Sequence, residues 1–563
     1  MRRPNRIPVY QIDPDEVLLD ARNLPSFNTQ QFEGRIERPI SKTAFYVLGL
    51  LCALACLLFL GKIGQLQLVR GSALAARSVN NTLRHIPVFA ERGLITDRND
   101  VELAWNTPTR TYIDTAGFGH LIGYVGRPNE QEVDSTEIHP DSLVGRDGVE
   151  KHYDRALQGE SGIKIEEVNA TGEVLSDYIL RPPTTGQNLT LAIDSRLQGQ
   201  FYKSIKEVVD RGIFVAGAAV MMDLKTGEVL VMTSAPEFDP NVISQGSDRA
   251  AINSYLTNKN QPFLNRVIDG LYTPGSIVKP IMALAALQEG VVTPETKILS
   301  TGSISVANPY NPAAPTIFKD WRAHGWVNLR EALAVSSDVY FYAVGGGYEK
   351  QRGIGIAKID KYAQMFGLGL PTGIDFLTEE VGVIPTPEWK AKTFNNDPWR
   401  IGNTYHTAIG QYGYQVTPLQ MVRAVAAVAT SGKLLTPTML KQPRGYVASS
   451  TQITEIKPEY YQIVREGMRQ SVTTGISTGL NMSDASIAVK TGTAELGVSK
   501  AYVNSWITGF FPYESPRYAY ALVLERGLRD TQVGSVYVSR QFFDWLAANA
   551  PEYLAVDPGP ETR

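Results

Sequence analysis

Cysteine is nearly missing from this chain of 563 residues: there are two, Cys52 and Cys56, and both sit inside one apolar run. That excludes a disulfide framework, and with only six histidines no C-x-x-C or H-E-x-x-H spacing marks a metal centre. An excess of charge of one sign is missing too. The formal net charge of −3 leaves no basic face for nucleic acid. The glycine-rich stretch GLGLPTG (367–373) lacks the strand-to-helix context of a dinucleotide loop. Long apolar runs are scarce, so the one present stands out. Residues 43–61, TAFYVLGLLCALACLLFLG, carry no charge and have about the length needed to cross a bilayer. A long polar leader precedes this run, and the A-x-A-like site at 73–75 lies well past it. Both argue for an uncleaved single-span anchor over a signal peptide. Arg35, Arg38 and Lys42 before the span are matched by Lys62, Arg70 and Arg77 after it, so charge bias leaves the orientation open.

What is present is the composition of a folded protein, 43% hydrophobic and 20% charged, long enough for two to four domains. The leader (1–42) reads as a polar tail without helical periodicity. A mixed, turn-rich region follows the span, with β-prone runs such as NLTLAI (188–193). The ILRPPTTGQN segment (179–188) reads as a linker. AGAAVMMD (216–223) and EVLVMTSA (228–235) flank a Leu-Lys-Thr-Gly turn and predict a β-hairpin. SIAVKTGTAE, NSWITGFF and RYAYALVL form a second strand series near the far end. The chain between is mainly helical: IAKIDKYAQMF (356–366) has a helical apolar stripe, and Thr417, Pro418 and Gly432 bracket another helix. This order predicts one sheet assembled from both ends of a domain, with helices on its faces.

Three short stretches carry chemistry. In TPGSIVKPIMALAAL (273–287), Lys279 is the only charge, three residues after Ser276 on the same side of a helix start. Serine needs a base to become a nucleophile, and a lysine that burial drives toward its neutral form can be that base. A snorkelling surface lysine is the bland alternative. AVSSDVYFYAV (334–344) places Ser336 and Asp338 two residues apart, and Lys490-Thr491-Gly492-Thr493 lies in a strand-like run. Strand alternation puts Lys490 and Gly492 on one face and the two threonines on the other. A glycine there lets another backbone approach closely. Each motif is weak alone; the ordered trio is not.

The trio S-x-x-K, S-x-D and K-T-G, together with RGLITDRND (92–100), HLIGYVG (120–126), VGRDGVEKHYDRALQGESG (144–162), GEVLVMTSAPEFDPN, NRVIDGLYTPGSIVKP and VTPLQM, resembles the class B penicillin-binding proteins. The S-x-D form is most similar to the elongation-type subgroup, penicillin-binding protein 2. The resemblance implies an α/β penicillin-binding transpeptidase fold: a central antiparallel sheet of about five strands flanked by helices, with a helical subdomain. A mainly β membrane-proximal pedestal and one transmembrane helix would precede it. The implied boundaries are 1–42 cytoplasmic tail, 43–62 transmembrane helix, 63–185 pedestal, 186–550 transpeptidase domain and 551–563 C-terminal tail.

The resemblance further implies a serine-type D-Ala-D-Ala transpeptidase that cross-links peptidoglycan stem peptides through an acyl-enzyme. Ser276 would be the nucleophile and Lys279 its base, with Ser336 and Lys490 relaying a proton to the leaving amine. The backbone N–H groups of Ser276 and Thr493 would form the oxyanion hole. Asp338, Thr491, Gly492 and Thr493 would line the substrate site. No cofactor or metal is implied. Implied partners are stem peptides or the lipid-linked precursor glycan, β-lactam antibiotics, and a polytopic glycosyltransferase of the shape, elongation, division and sporulation family with other elongation-complex membrane proteins. The implied location is the inner (cytoplasmic) membrane, single-pass, with the N-terminus cytoplasmic and the catalytic domain periplasmic. A septal transpeptidase and a largely structural activator of a glycosyltransferase are the competing readings. Two departures stand out. Only ten residues separate Thr109 from His120, which reduces the pedestal head. Asp320 and His324 fall where some elongation-type relatives hold a metal, but without a cysteine beside them a satisfied surface histidine is the better reading. Trp506 fits a cleft wall and core packing equally.

Overall fold

The computed structural model describes residues 42–556 apart from 137–138, 170, 309–310 and 312. The predicted polar leader and the last residues of the predicted tail lie outside the described residues. Two compact units divide the chain: Met1–His85 with Ile165–Tyr178, and Ile86–Lys164 with Ile179–Arg563. In the first, helix α1 (Lys42–Gly64) runs on as a π-helical turn to Val69 and has a fully exposed apolar surface. It is slightly longer than the predicted span, and long and apolar enough to cross a membrane. Helix α2 (Gly71–Thr82) follows it.

The second unit holds two sheets that matter here. Strands β1 (Ile95–Thr96), β2 (Glu102–Asn106), β3 (Arg110–Tyr112) and β4 (Leu189–Thr190) form one in the order β3-β2-β1-β4. Part of NLTLAI thus pairs with β1, upstream of the predicted linker. The other sheet is antiparallel and five-stranded: β5 (Ala216–Asp223), β6 (Val229–Ala235), β7 (Ala488–Leu496), β8 (Tyr502–Phe511) and β9 (Tyr518–Leu528), in the order β6-β5-β9-β8-β7. Both ends of the domain therefore build it, as the strand series predicts, and the lysine-threonine-glycine strand is left at its edge.

Every residue of β5 and β6 is buried, because helices cover both faces of the sheet. Helix α3 (Ser195–Asp210) supplies Leu197, Phe201 and Ile205 to one face. The other face packs against the core that contains helix α4 (Lys279–Gln288). Around it lie α5 (Leu329–Ala334), α6 (Asp338–Gly346), α7 (Pro418–Ala429) and α8 (Pro458–Thr473), with Thr417 capping α7 as predicted. Helix α9 (Ser535–Asn549) joins α3 on the first face through Val538, Phe542 and Leu546. The predicted C-terminal tail begins as packed structure: Tyr553 is buried and its hydroxyl donates to Asp194 at 2.8 Å.

One buried histidine makes this unit sensitive to acid. His120 Nε2 lies 2.7 Å from the Pro262 carbonyl and so carries the ring proton, while Nδ1 has no partner among the described residues. Burial, and then the charge of Arg266, lower the imidazole from 6.5 to about 3. The unfolded chain takes up a proton near pH 6.5 that the folded state refuses. Stability is therefore full above that value and is lost as the pH falls toward the folded value. Thermal unfolding between about pH 8 and about pH 4 is expected to show a steeper acid loss for the wild type than for His120→Gln. Parallel curves would refute the assignment.

Candidate active site

Three separate segments meet at the edge strand β7. The first is a 3-10 turn, Gly275–Val278, that runs directly into α4 and sets Ser276 one turn before Lys279. Pro280 is accepted because it occupies the first turn of α4. Gly275 has φ +59°, and a Cβ there would come within 3.0 Å of the Thr493 carbonyl, so glycine lets the turn lie against the strand. Gly492 does the same from the other side: its Cβ would stand 2.8 Å from the Pro274 carbonyl and 3.2 Å from the Ile277 nitrogen. Gly492→Val is therefore expected to push β7 off the serine turn. Since displacements of about 1 Å cost on the order of 100-fold, the acylation by a fluorescent penicillin that the resemblance implies at Ser276 should slow by at least that factor while the fold survives. A rate within a few-fold of wild type would refute the close approach.

Lys279 is fully buried, as an apolar helix requires, and its ammonium has compensating partners. Nζ donates to the Ser336 carbonyl (2.8 Å), to Ser336 Oγ (3.3 Å) and to Asp338 Oδ1 (2.7 Å), and lies over the Phe341 ring. Lys490, also buried, donates to Ser336 Oγ at 2.8 Å and to the Thr491 carbonyl at 2.7 Å. Burial, then the positive charge of Lys279, push Lys490 well below the usual lysine range, with Asp338 opposing them. Ser336 Oγ thus bridges two lysines, one paired with a carboxylate and one driven toward its neutral form.

The structure brings Ser276, Lys279, Ser336, Asp338 and Lys490 together from segments far apart in sequence. Gly492 faces the serine turn, Thr491 is half-buried and Thr493 exposed, which is the alternation predicted for the strand. Asp338 faces Lys279 with its side chain 21% exposed. The Nζ bonds of Lys279 go to the second motif, and the Ser276 hydroxyl has no hydrogen-bond partner among the described residues. A cavity of about 490 Å³ runs along β7, lined by Thr491, Thr493, Ser505, Ser535 and Tyr537 among others. Trp506 does both: it is fully buried, its Nε1 donates to the Thr273 carbonyl at 3.0 Å just before the serine turn, and it lies in the wall of this cavity.

One expectation is corrected. His324 is half-buried and only half satisfied, not a satisfied surface histidine: its side chain is 1% exposed, its Nδ1 accepts from Arg322 Nε at 3.4 Å, and its Nε2, 3.5 Å from Asp320 Oδ1, has no hydrogen-bond partner among the described residues. The burial comes from packing beside Trp321, with which the imidazole makes an edge-to-face contact. Among the described residues no group of three or more His, Cys, Asp or Glu could hold a metal ion. Trp321, a neighbour of the second motif, escapes a site reading from sequence, and Asp320 is read there only for a metal and not as a partner of Ser337. The only signal for Trp321 is position, since it belongs to no motif.

Residues 217–543 match the penicillin binding protein transpeptidase domain, and residues 106–191 the penicillin-binding protein dimerisation domain. Peptidoglycan D,D-transpeptidase MrdA of Acinetobacter baumannii is 32% identical over 74% of this chain, a match that spans 63% of that protein's own length. MrdA of Salmonella typhimurium (strain SL1344) is 30% identical over 86% of this chain and 81% of its own. Among solved structures, penicillin-binding protein PBP2 in complex with MreC from Helicobacter pylori superposes with a TM-score of 0.70 at 28% identity, covering 83% of this chain and 99% of that one. A chain of a peptidoglycan synthase complex that coordinates polymerization and crosslinking gives a TM-score of 0.71 at 26% identity, over 92% and 99%. A domain match covering more than half of the chain, the shared fold and the three motifs meeting at one sheet edge agree: the chain belongs to the penicillin-binding protein transpeptidase family, with that family's dimerisation domain ahead of its transpeptidase domain.

Proposed function

We propose that this protein is a peptidoglycan D,D-transpeptidase of the elongation type. The observation that carries the reading is the Lys279–Ser336–Lys490 cluster, with Asp338, whose Lys279 follows Ser276 by one turn. Ser276 Oγ attacks the carbonyl between the last two D-alanines of a stem peptide. The proton of Ser276 goes to Lys279, which must be neutral to take it. Lys490 readily holds the neutral form, and the Ser336 hydroxyl lies between the two amines. Lys490 holds Ser336 Oγ from its far side, so the proton that Lys279 takes from Ser276 can pass on through the Ser336 hydroxyl to the nitrogen of the departing D-alanine. The backbone N–H groups of Ser276 and Thr493 stabilise the oxyanion. The Thr491 and Thr493 hydroxyls hold the substrate carboxylate. The amine of a neighbouring stem then takes the acyl group and completes the cross-link. A β-lactam acylates the same serine and stays there.

The elongation assignment draws on the MrdA relatives and the S-x-D motif. Anchoring by α1, with the N-terminus cytoplasmic and the catalytic domain periplasmic, suits a lipid-linked or nascent glycan substrate. The similarity to chains solved with MreC and in a peptidoglycan synthase complex supports elongation-complex membrane proteins, including a polymerising glycosyltransferase, as partners. The test is labelling of the detergent-solubilised full chain by a fluorescent penicillin, together with release of D-alanine from a pentapeptide stem. Stable label and D-alanine release in the wild type, both lost in Ser276→Ala, are expected. A folded wild type that never labels overturns the reading, and rapid labelling followed by rapid loss makes it a β-lactam hydrolase instead.

A further inference from the structure

We propose that Asp320 is a positioning residue for catalysis: with Trp321 it fixes the turn between α5 and α6 in the one conformation that presents Ser336 to both lysines. This rests on the transpeptidase reading of the site. Ser336 has φ +56°, the left-handed region that an L side chain enters at a cost. In that conformation its carbonyl and its hydroxyl both face Lys279, while the hydroxyl also meets Lys490. A relaxed turn would withdraw at least one of these contacts, so something must hold it.

The turn is gripped on both sides by two adjacent residues. Before it, Trp321 Nε1 donates to the Val335 carbonyl at 3.2 Å. After it, Asp320 Oδ2 accepts from Ser337 Oγ at 2.8 Å and from the Val339 N–H at 3.0 Å, which caps the start of α6 from outside the helix. Ser337 is itself the N-cap, accepting from the Tyr340 N–H at 3.3 Å. The same carboxylate accepts from Ser300 Oγ (3.2 Å) and, through Oδ1, from the Trp321 N–H (2.8 Å). Asp320 is fully buried, and these donors hold its carboxyl below the usual carboxylate range although burial opposes them. A buried, ionised carboxylate with this many donors is a rigid anchor.

The same donor set disfavours a metal at this place. Asp320 and His324 are two side-chain ligands where a closed structural site takes four, and both Asp320 oxygens already receive hydrogen bonds. The direct Asp320–Ser337 bond ties the segment at 320 to the second motif.

The test is the acylation rate of the full-length, detergent-solubilised chain with a fluorescent penicillin, with thermal unfolding read alongside. Asp320→Asn is expected to slow acylation by about tenfold or more, the loss typical of a hydrogen bond to a charged group, with penicillin binding before acylation unchanged. Ser337→Ala, which is less able to disturb the fold, should slow it similarly, and Ser337→Thr should restore it because the donor hydroxyl returns. Asp320→Asn in a Ser337→Ala background should add little, since the two act through one contact. Dialysis against a chelator, or addition of zinc, should leave the rate unchanged. Wild-type rates in folded Asp320→Asn or Ser337→Ala, or acylation that requires zinc, overturn this proposal. A wild type that never labels overturns instead the reading of the site on which it rests.

Discussion

Lys279→Met is expected to abolish useful acylation, slowing it by on the order of 1,000-fold, while the protein stays folded. Methionine fills the buried volume of the lysine stem, so the apolar helix around it is not opened to a cavity. What goes is the proposed base, the amine one turn on from Ser276, and general bases contribute about 100- to 10,000-fold. The remaining lysine cannot substitute: Lys490 reaches Ser336, not the serine turn. Lys279→Arg separates the base from its charge. A guanidinium can still pair with Asp338, but it does not give up a proton near neutral pH and so cannot become the neutral base. Stopped-flow or gel-based acylation rates for the two variants decide the matter. If Lys279→Arg keeps most of the activity, the lysine is an electrostatic post and not the base.

Glu150→Ala is expected to cost about 3–5 kcal/mol of stability, the loss found when one partner of a buried ion pair is removed. Glu150 is fully buried, and its carboxylate divides between Arg92 Nε at 2.5 Å and Arg110 Nε at 2.6 Å. Arg92 also reaches Asp154 at 2.7 Å and the Glu150 carbonyl at 2.9 Å, and against the pull of desolvation the Glu150 and Asp154 carboxylates raise its pKa. Arg92 Nη1 and Arg110 Nη2 already have no hydrogen-bond partner among the described residues, so the cluster has no spare acceptor to offer. Without Glu150, two buried guanidiniums repel each other across the gap. Urea unfolding of the solubilised chain measures the loss, and a change below about 1 kcal/mol would show that the two arginines find water or Asp154 instead.

That cluster also explains what two of the sequence blocks are for. RGLITDRND and VGRDGVEKHYDRALQGESG are legible as family stretches, but their spacing does not say that Arg92 of one must meet Glu150 of the other. Asp97, from the first block, turns out to organise its own loop through the Asn99 and Val101 N–H groups, and its other oxygen accepts from Ser195 at the start of α3. These contacts hold the β3-β2-β1-β4 sheet to the start of α3 within the second unit.

Local pattern determined a good deal by itself. The uncharged run predicted α1, the Leu-Lys-Thr-Gly turn predicted the β5–β6 hairpin, and the capping residues Thr417 and Pro418 predicted the start of α7, because each depends only on neighbours a few residues away. The proposed reactive residues were legible for the same reason. Ser276 and Lys279 share a turn, and alternation along β7 separates Lys490 and Gly492 from the two threonines. What only the tertiary structure decided is who answers whom. Asp338 is an ion-pair partner of Lys279, Ser336 is held in a left-handed turn between two lysines, the His324 side chain is buried, and Trp506 supports the serine turn from the core. Each of these joins residues that the chain brings together only after the sheet has closed from both ends. Burial, and the loss of water that makes such pairings matter, belong to the packed fold and leave no periodicity in the sequence.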